Sequence, residues 1–330
     1  MIIVTGYRGG IFDEEIVGLL NKCKSLDEAW AERLSNVEDI RELWFRSTWY
    51  NPEDFAFILI NDRVRGYAWA WKNGGFGRIS LCVDFGMPSS ILYNVVEALL
   101  SWARLRLEKL RVPSKVRIVA GYEHGYMHKL LREVVGLYPE DYPASIMVLE
   151  KLPKPRVPEG YSLREGGLSD VEAIVKVYNE AFSRYDWFIP WRLEDAIKWY
   201  TMRKPYIIVV EHHSEGIVGY IDAEIRRGID GSVNAYIATL AVKPKHQGKG
   251  LGKALISTIA SKLWNKDVER IFLDSVGGLE KFYGKLGFRV WRRHVSLLVP
   301  LSELPSRNIT LVDASSLGVK NNIFKYNKLT

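Results

Sequence analysis

The hydrophobic pattern along this chain changes period repeatedly, and the changes come twice in the same order. "DFAFILINDRVRGYAWAW" (54–71) is apolar on both sides of a polar turn at Asn61-Asp62-Arg63, the mark of a β-hairpin. "PYIIVVEHHSEGIVGYIDAEI" (205–225) reads the same way around a turn near His212 to Gly216. A further strand follows each hairpin, "GRISLCVDF" (77–85) and "NAYIATLAV" (234–242). The period then lengthens to that of an amphipathic helix, in "SSILYNVVEALLSWARLRL" (89–107) and "LGKALISTIASKLW" (251–264). In the second of these, Leu251, Leu255, Ile259 and Leu263 share one face. Each copy continues with a strand, "KVRIVAGY" or "VERIFLDSV", and a short helix ending at Gly136-Leu137 or Gly287-Phe288. Each then closes on an apolar strand running into "MVLEKLP" or "LLVPLSELP".

Gly66 and Gly219 are 153 positions apart, and Gly136 and Gly287 are 151 apart. Near-equal separations with one element order between them predict a duplicated domain; chance likeness of two α/β patterns is the alternative. The predicted fold class is α/β, with a mixed, largely antiparallel sheet flanked by helices in each half. Three prolines in "KLPKPRVPEGYSL" (151–163) mark a linker. The expected domains are 1–150 and 161–303, with the linker at 151–160 and a tail at 304–330. From Asn308 on, the tail matches nothing in the first half and is expected either as an extra strand or as a loosely held end.

Composition changes this picture little. With 330 residues and 47% hydrophobic content, the chain is ample for two buried cores. The formal charge of +7 is a mild bias towards anionic partners, and the basic residues are scattered. No nucleic acid is therefore expected as a partner. No run is long enough to cross a bilayer, and the N-terminus lacks the features of a signal peptide, so a cytoplasmic protein with no membrane partner is expected. The two cysteines, Cys23 and Cys82, have neither metal-type nor redox-type spacing and read as reduced, buried thiols. His124 and His128 lie at i, i+4 without a third ligand, so no metal is expected.

The candidate chemistry lies in "HQGKGLGKAL" (246–255), where three glycines open a helix although each costs about 0.5–1 kcal/mol in a helix interior. The preceding strand ends at Lys243-Pro244. A strand–turn–helix junction exposes unpaired N–H groups in the positive field of the helix dipole, an anion site. Glycines let a phosphate reach the backbone, and Lys243, Lys245, Lys249 and Lys253 add charge. A Walker A loop fits badly, by spacing and by Ala254 where Ser or Thr belongs. A dinucleotide fingerprint fits badly too, given GxGxG spacing after a hairpin.

The remaining pattern is Gln-x-x-Gly-x-Gly, at Gln247, Gly250 and Gly252. The run "IATLAVKPKHQGKGLGKALI" resembles the pyrophosphate-binding segment of the GNAT superfamily of N-acetyltransferases. "LEKFYGKLGF" (279–288) resembles that family's second landmark, a Tyr-x-x-x-Gly-Phe helix ending. The resemblance covers 160–300 well and 1–150 only in element order. It implies a tandem protein with a degenerate first copy, because that copy has "LCVDFGMPSSILYN" in place of the loop and Arg132 opposite Tyr283.

The resemblance also implies site roles. The amides of Gln247, Gly248, Lys249, Gly250, Leu251 and Gly252, with Lys253 beside them, would cradle the pyrophosphate of acetyl-CoA. The strand at Leu240, Ala241 and Val242 would pair with the pantetheine arm. Tyr283 would give a proton to the departing thiolate; from periodicity alone it is a core residue in one stripe with Leu279, Phe282 and Leu286. The chain departs from the family at Val276, often Asn, and at Ala238, often the Glu that serves as base. Asp222 and Glu224 share one strand face and are either base candidates or solvated carboxylates. Tyr185, Trp187, Phe188 and Trp191 either line the acceptor pocket or form an aromatic core between helices.

The expected function is acetyl-CoA-dependent N-acetyl transfer to a primary amine of a small molecule or peptide, by a monomer or homodimer. The alternative is a catalytically weak CoA-binding regulatory module, supported by the missing Asn and Glu.

Overall fold

The computed structural model describes residues 1–24, 37–41, 45, 50–73, 76–112, 115–122, 125–136, 140–141, 144–154, 156–185, 188, 190–227, 231–276 and 278–317. The first elements are β1 (Ile2–Thr5), α1 (Asp13–Lys24), α2 (Val37–Ile40), β2 (Phe55–Ile60), β3 (Arg63–Asn73), β4 (Phe76–Val83), α3 (Ser89–Lys109), β5 (Lys115–Tyr122), α4 (Gly125–Val135) and β6 (Glu140–Asp141). Then come β7 (Ala144–Leu149), β8 (Tyr161–Glu165), α5 (Val171–Phe182), α6 (Leu193–Arg203), β9 (Tyr206–His212), β10 (Gly216–Arg227), β11 (Val233–Val242), α7 (Leu251–Trp264), β12 (Arg270–Val276), α8 (Glu280–Lys285), β13 (Phe288–Pro300) and β14 (Leu311–Asp313).

The chain divides into two compact units. One comprises the described residues of 1–26, 33–142 and 294–330, the other those of 143–293. In the first unit the strand order is β14-β1-β2-β3-β4-β5-β13, with β13 entering through its Ser296–Pro300 stretch. In the second it is β13-β7-β12-β11-β10-β9-β8, with β13 entering through Phe288–Arg293. Among the described residues each order runs through seven strands, mixed and mostly antiparallel, and in the first unit the short β6 also pairs with β13. The parallel pair at the centre of each, β4 with β5 and β11 with β12, follows from the crossover helix between its strands, α3 or α7.

Alternation along the strands buries both faces of each sheet. On β10, Ile221 and Ala223 join Leu255, Ile259 and Leu263 of α7 in one core. Tyr220, one residue out of phase, joins Ile174 and Val177 of α5 and Tyr200 of α6 in another.

The sequence reading closes each half on its own last strand, which places the boundary near 150. In the structure β7 lies between β12 and β13 of the second unit, with Val148 opposite Phe272 and Leu149 opposite Phe288. The C-terminal half of β13 instead pairs with β5 in the first unit, Leu297 opposite Ile118. Both strands are apolar runs, so nothing in their pattern names a partner. Among the described residues of the tail, Leu311–Asp313 form an extra strand: β14 pairs parallel with β1, Ile3 opposite Leu311. Cys82 is disulfide-bonded rather than a reduced thiol. Packing of α1 on β4 sets its Sγ 3.6 Å from the Leu19 carbonyl, a proximity that sequence spacing does not encode.

Candidate active site

The site begins with a defect in a strand. Asp222 pairs with Thr239 but Ala223 pairs with Ile237, so Ala238 is an extra residue in β11. A bulge bends its strand and ends regular pairing. Pairing between β11 and β12 runs from Asn234–Arg270 to Ile237–Leu273 and stops there. Beyond that point β12 pairs with β7 through Val276, and β11 pairs with β10 through Val242. The two central strands diverge, leaving one backbone edge of residues 238–242 without a strand partner among the described residues.

The chain turns directly from this edge into α7. Gly248 and Gly250 have φ of 78° and 88°, and a Cβ at either would meet nothing within 4 Å. Backbone conformation demands the glycines, and the space above them is open. Gly250 is the N-cap of α7 without a side-chain cap, and the first intrahelical bond is Ala254 N–H to Gly250 O (3.2 Å). The N–H groups of Leu251, Gly252 and Lys253 therefore precede the helix's own acceptors. Edge and helix start share one cavity of about 570 Å³, lined by Leu240, Ala241, Val242, Gln247, Gly248, Gly250, Leu251, Gly252 and Lys253 among others. The donor set suits an anionic group, and the volume a small organic ligand.

Lys249 does not line this cavity. Its Nζ donates to the Tyr161 hydroxyl (2.9 Å), which is also 2.8 Å from His246 Nδ1. The residues of the expected site that do line it include Tyr185 and Tyr283. Burial pushes the Tyr283 phenol up to about 12, with Tyr185 and Asp274 adding to the rise, so it is protonated at neutral pH. Its ring stands edge-on to Phe282 and Phe288, 5.1 and 6.1 Å between centroids. Phe282, 47% exposed, lies on the cavity wall rather than in the core that helical periodicity implied. Arg184 and Lys285 line the cavity too. No sequence motif marks Arg184, a lone cation beside a helix end, and Lys285 is an unspecified position within the Tyr-x-x-x-Gly-Phe landmark.

Asp222 and Glu224 share a face but not the cavity. Neither is a solvated carboxylate, because the face they share is packed beneath α6. Glu224 is buried, with Arg203 at 3.6 Å and Arg226 at 3.4 Å. Asp222 is fully buried and accepts a hydrogen bond from the Tyr200 hydroxyl (2.7 Å). Burial raises its carboxyl to about 7, although Tyr200 and Thr239 pull it back. The folded protein thus holds this proton between about pH 4 and 7, where the unfolded chain has lost it. Stability from this group is complete below that window and lost as pH rises through it. Asp222→Asn should therefore gain stability relative to the parent from pH 4 to pH 8 in thermal melts. A difference that stays constant with pH would contradict this.

Phe188 and Trp191 pack as an aromatic cluster with Tyr178, at 6.1 and 5.3 Å, and Trp191 also meets Tyr200 at 5.6 Å. Both stand behind the cavity wall, which Phe182 and Tyr185 form directly. Trp187 and His124 lie outside the described residues, as does the side chain of His128. Among the described residues, no group of three or more His, Cys, Asp or Glu could hold a metal, and no helix is long and apolar enough to cross a membrane.

The equivalent turn of the first unit is closed by its own side chain. Asp84 Oδ1 accepts from the Gly86 N–H (3.2 Å) and Oδ2 from Arg65 (2.8 Å). Burial works against its charge, but Arg65, the Gly86 N–H and Lys22 together hold the carboxyl below the ordinary range. Pro88 takes the N-cap of α3 and brings no N–H. A carboxylate of the chain sits where the second unit leaves room for an anion.

Two mixed sheets, each with a parallel pair crossed over by a helix, define the class: tandem proteins of GNAT fold. A GCN5-related N-acetyltransferase from Sphaerobacter thermophilus matches with a TM-score of 0.66 at 16% identity, over 94% of this chain and 98% of its own. A tandem GNAT protein from the clavulanic acid biosynthesis pathway matches at 0.63 and 16%, over 91% and 98%. At such identities the likeness is one of fold. Residues 171–288 match the acetyltransferase (GNAT) family. Serotonin N-acetyltransferase 2, chloroplastic, of Oryza sativa subsp. japonica is 29% identical over 130 residues, 39% of this chain and 62% of that protein. The match thus spans less than two thirds of that relative's length.

Proposed function

We propose that the second unit transfers an acetyl group from acetyl-CoA to a primary amine of a small molecule or peptide. The observation that carries this reading is the junction of an unpaired strand edge with a glycine-opened helix start on one cavity. In this reading the amides of 247–252 and Lys253 hold the diphosphate, and the edge of Leu240, Ala241 and Val242 holds the pantetheine arm. Lys249 contributes its amide, its ammonium being turned to Tyr161. Acetyl-CoA supplies the activated thioester.

The chain's own groups supply positioning and proton handling. An N–H on the open edge polarises the acetyl carbonyl, a fixed donor aimed at growing negative charge. As the C–N bond forms and the C–S bond breaks, the electron pair leaves on sulfur. The Tyr283 phenol donates a hydrogen bond there, and the proton lost by nitrogen finally balances the thiolate. Neither carboxylate lines the cavity, and Asp222, with its raised pKa, is the better proton acceptor of the two. Glu224 is engaged by two arginines. Phe182 and Tyr185 on the cavity wall, backed by the cluster of Phe188 and Trp191, favour an apolar or aromatic amine.

Thiol release from acetyl-CoA, followed across a panel of primary amines, tests the reading. Amine-dependent release is expected; tight binding of acetyl-CoA without it would instead favour the regulatory module. Tyr283→Phe should lower turnover by roughly 100-fold, as loss of general-acid help does, while the acetyl-CoA Kd stays within about twofold. Unchanged turnover removes the role.

A further inference from the structure

Positive charge at the start of α7 is scarcer than the sequence makes it. Lys243 is held by Glu180 (3.5 Å), Lys245 by Glu215, and Lys249 by the Tyr161 hydroxyl (2.9 Å). Three of the four lysines around the loop are thus tied to other elements. A diphosphate resting on the amides would find much of its charge unmatched from that side.

The opposite wall carries a cation. Arg184, two residues beyond α5, lines the same cavity and reaches over to the loop. Its Nη2 stands 3.4 Å from Gln247 Oε1 and 3.3 Å from the Tyr185 hydroxyl, and its guanidinium carbon is 5.2 Å over the Tyr185 ring. Gln247 is itself anchored, its Nε2 donating to the Val242 carbonyl (2.8 Å). The guanidinium is therefore held at the head of the loop by two long bonds to neutral oxygens. Bonds to phosphate oxygens are charge-assisted and about twice as strong as neutral ones, and the planar fork of arginine matches two such oxygens at once.

We propose that Arg184 closes over the cofactor's diphosphate from the α5 side, so that the anion is gripped between loop amides and one guanidinium. The inference rests on the acetyl-CoA reading above and assigns a binding role to a residue outside both sequence motifs.

The test is calorimetric titration of the parent, Arg184→Ala and Arg184→Lys with CoA and with S-acetylpantetheine, which lacks the phosphates. Arg184→Ala should bind CoA at least about tenfold more weakly, as expected for loss of a charge-assisted pair. Arg184→Lys should recover part of the loss. The deficit should shrink in 0.5 M salt, by about the screening such a pair suffers. S-acetylpantetheine should not distinguish the three proteins; if its binding is too weak to read, the salt dependence for CoA decides alone. Parent-like CoA affinity in Arg184→Ala, a deficit unmoved by salt, or equal losses for both probes would overturn the inference and leave the acetyl-CoA reading standing. A parent that binds no CoA would sink both.

Discussion

Replacing Gly250 with glutamate is expected to abolish CoA binding in a chain that still folds. The position has φ of 88° and nothing within 4 Å of a new Cβ, so the substitution meets backbone strain but no clash. A non-glycine residue in this region costs about 1–2 kcal/mol, which a unit of this size tolerates. The introduced carboxylate then lies at the positive end of α7, beside the N–H groups of Leu251, Gly252 and Lys253. It takes the place of the phosphates and repels them. For the parent, CoA at about 100 times its Kd should add about 2.7 kcal/mol of stability, which for a unit of this size is a rise of roughly 5–10 °C in Tm. The variant should show no rise at the same concentration, while its circular dichroism matches the parent. A parent-like shift in the folded variant would remove the anion cradle as the basis of function.

Gly287→Ala is expected to be the most damaging single methyl in the second unit. Gly287 has φ of 97°, and its carbonyl accepts from the N–H groups of Glu150 and Lys151 (3.0 and 3.2 Å) as the chain leaves β7. A Cβ there would fall 1.9 Å from the Lys151 carbonyl oxygen, a backbone atom that cannot swing aside. Strain and overlap together should cost more than about 3 kcal/mol. Gly284→Ala, three residues earlier in α8 with nothing within 4 Å, is the matched control and should be neutral or slightly stabilising. Urea or thermal unfolding of the pair would show the contrast; similar stabilities would mean that β7 and β13 do not approach as described. The glycine of the Gly-Phe landmark thus has a packing reason of its own, separate from any part in cofactor binding.

Much of this was legible in the chain. Element types and order follow from local periodicity, a property of neighbouring residues, and the hairpins, crossover helices and glycine-opened α7 all stand where the pattern puts them. The bare amides at the start of α7 were readable because peptide N–H groups at a helix start need no distant partner to be available. Asp84 in the first unit shows the converse equally locally: its carboxylate bonds a loop N–H two residues away.

Partner choice was not readable. An apolar strand such as β7 fits several sheet positions, and only the assembled sheet placed it between β12 and β13. The same holds for charge. Lys243, Lys245 and Lys249 look equivalent along the loop until Glu180, Glu215 and Tyr161, each distant in sequence, take them up. Arg184 gained its place on the cavity, and Asp222 its burial under Tyr200, in the same way. The sequence by itself determined which backbone would be strand, which helix, and where a helix would open on bare amides, because those depend on residues within a few positions. The tertiary structure alone decided where β11 and β12 part, which cations face the cavity and which carboxylates are buried. Those depend on groups that only folding brings together.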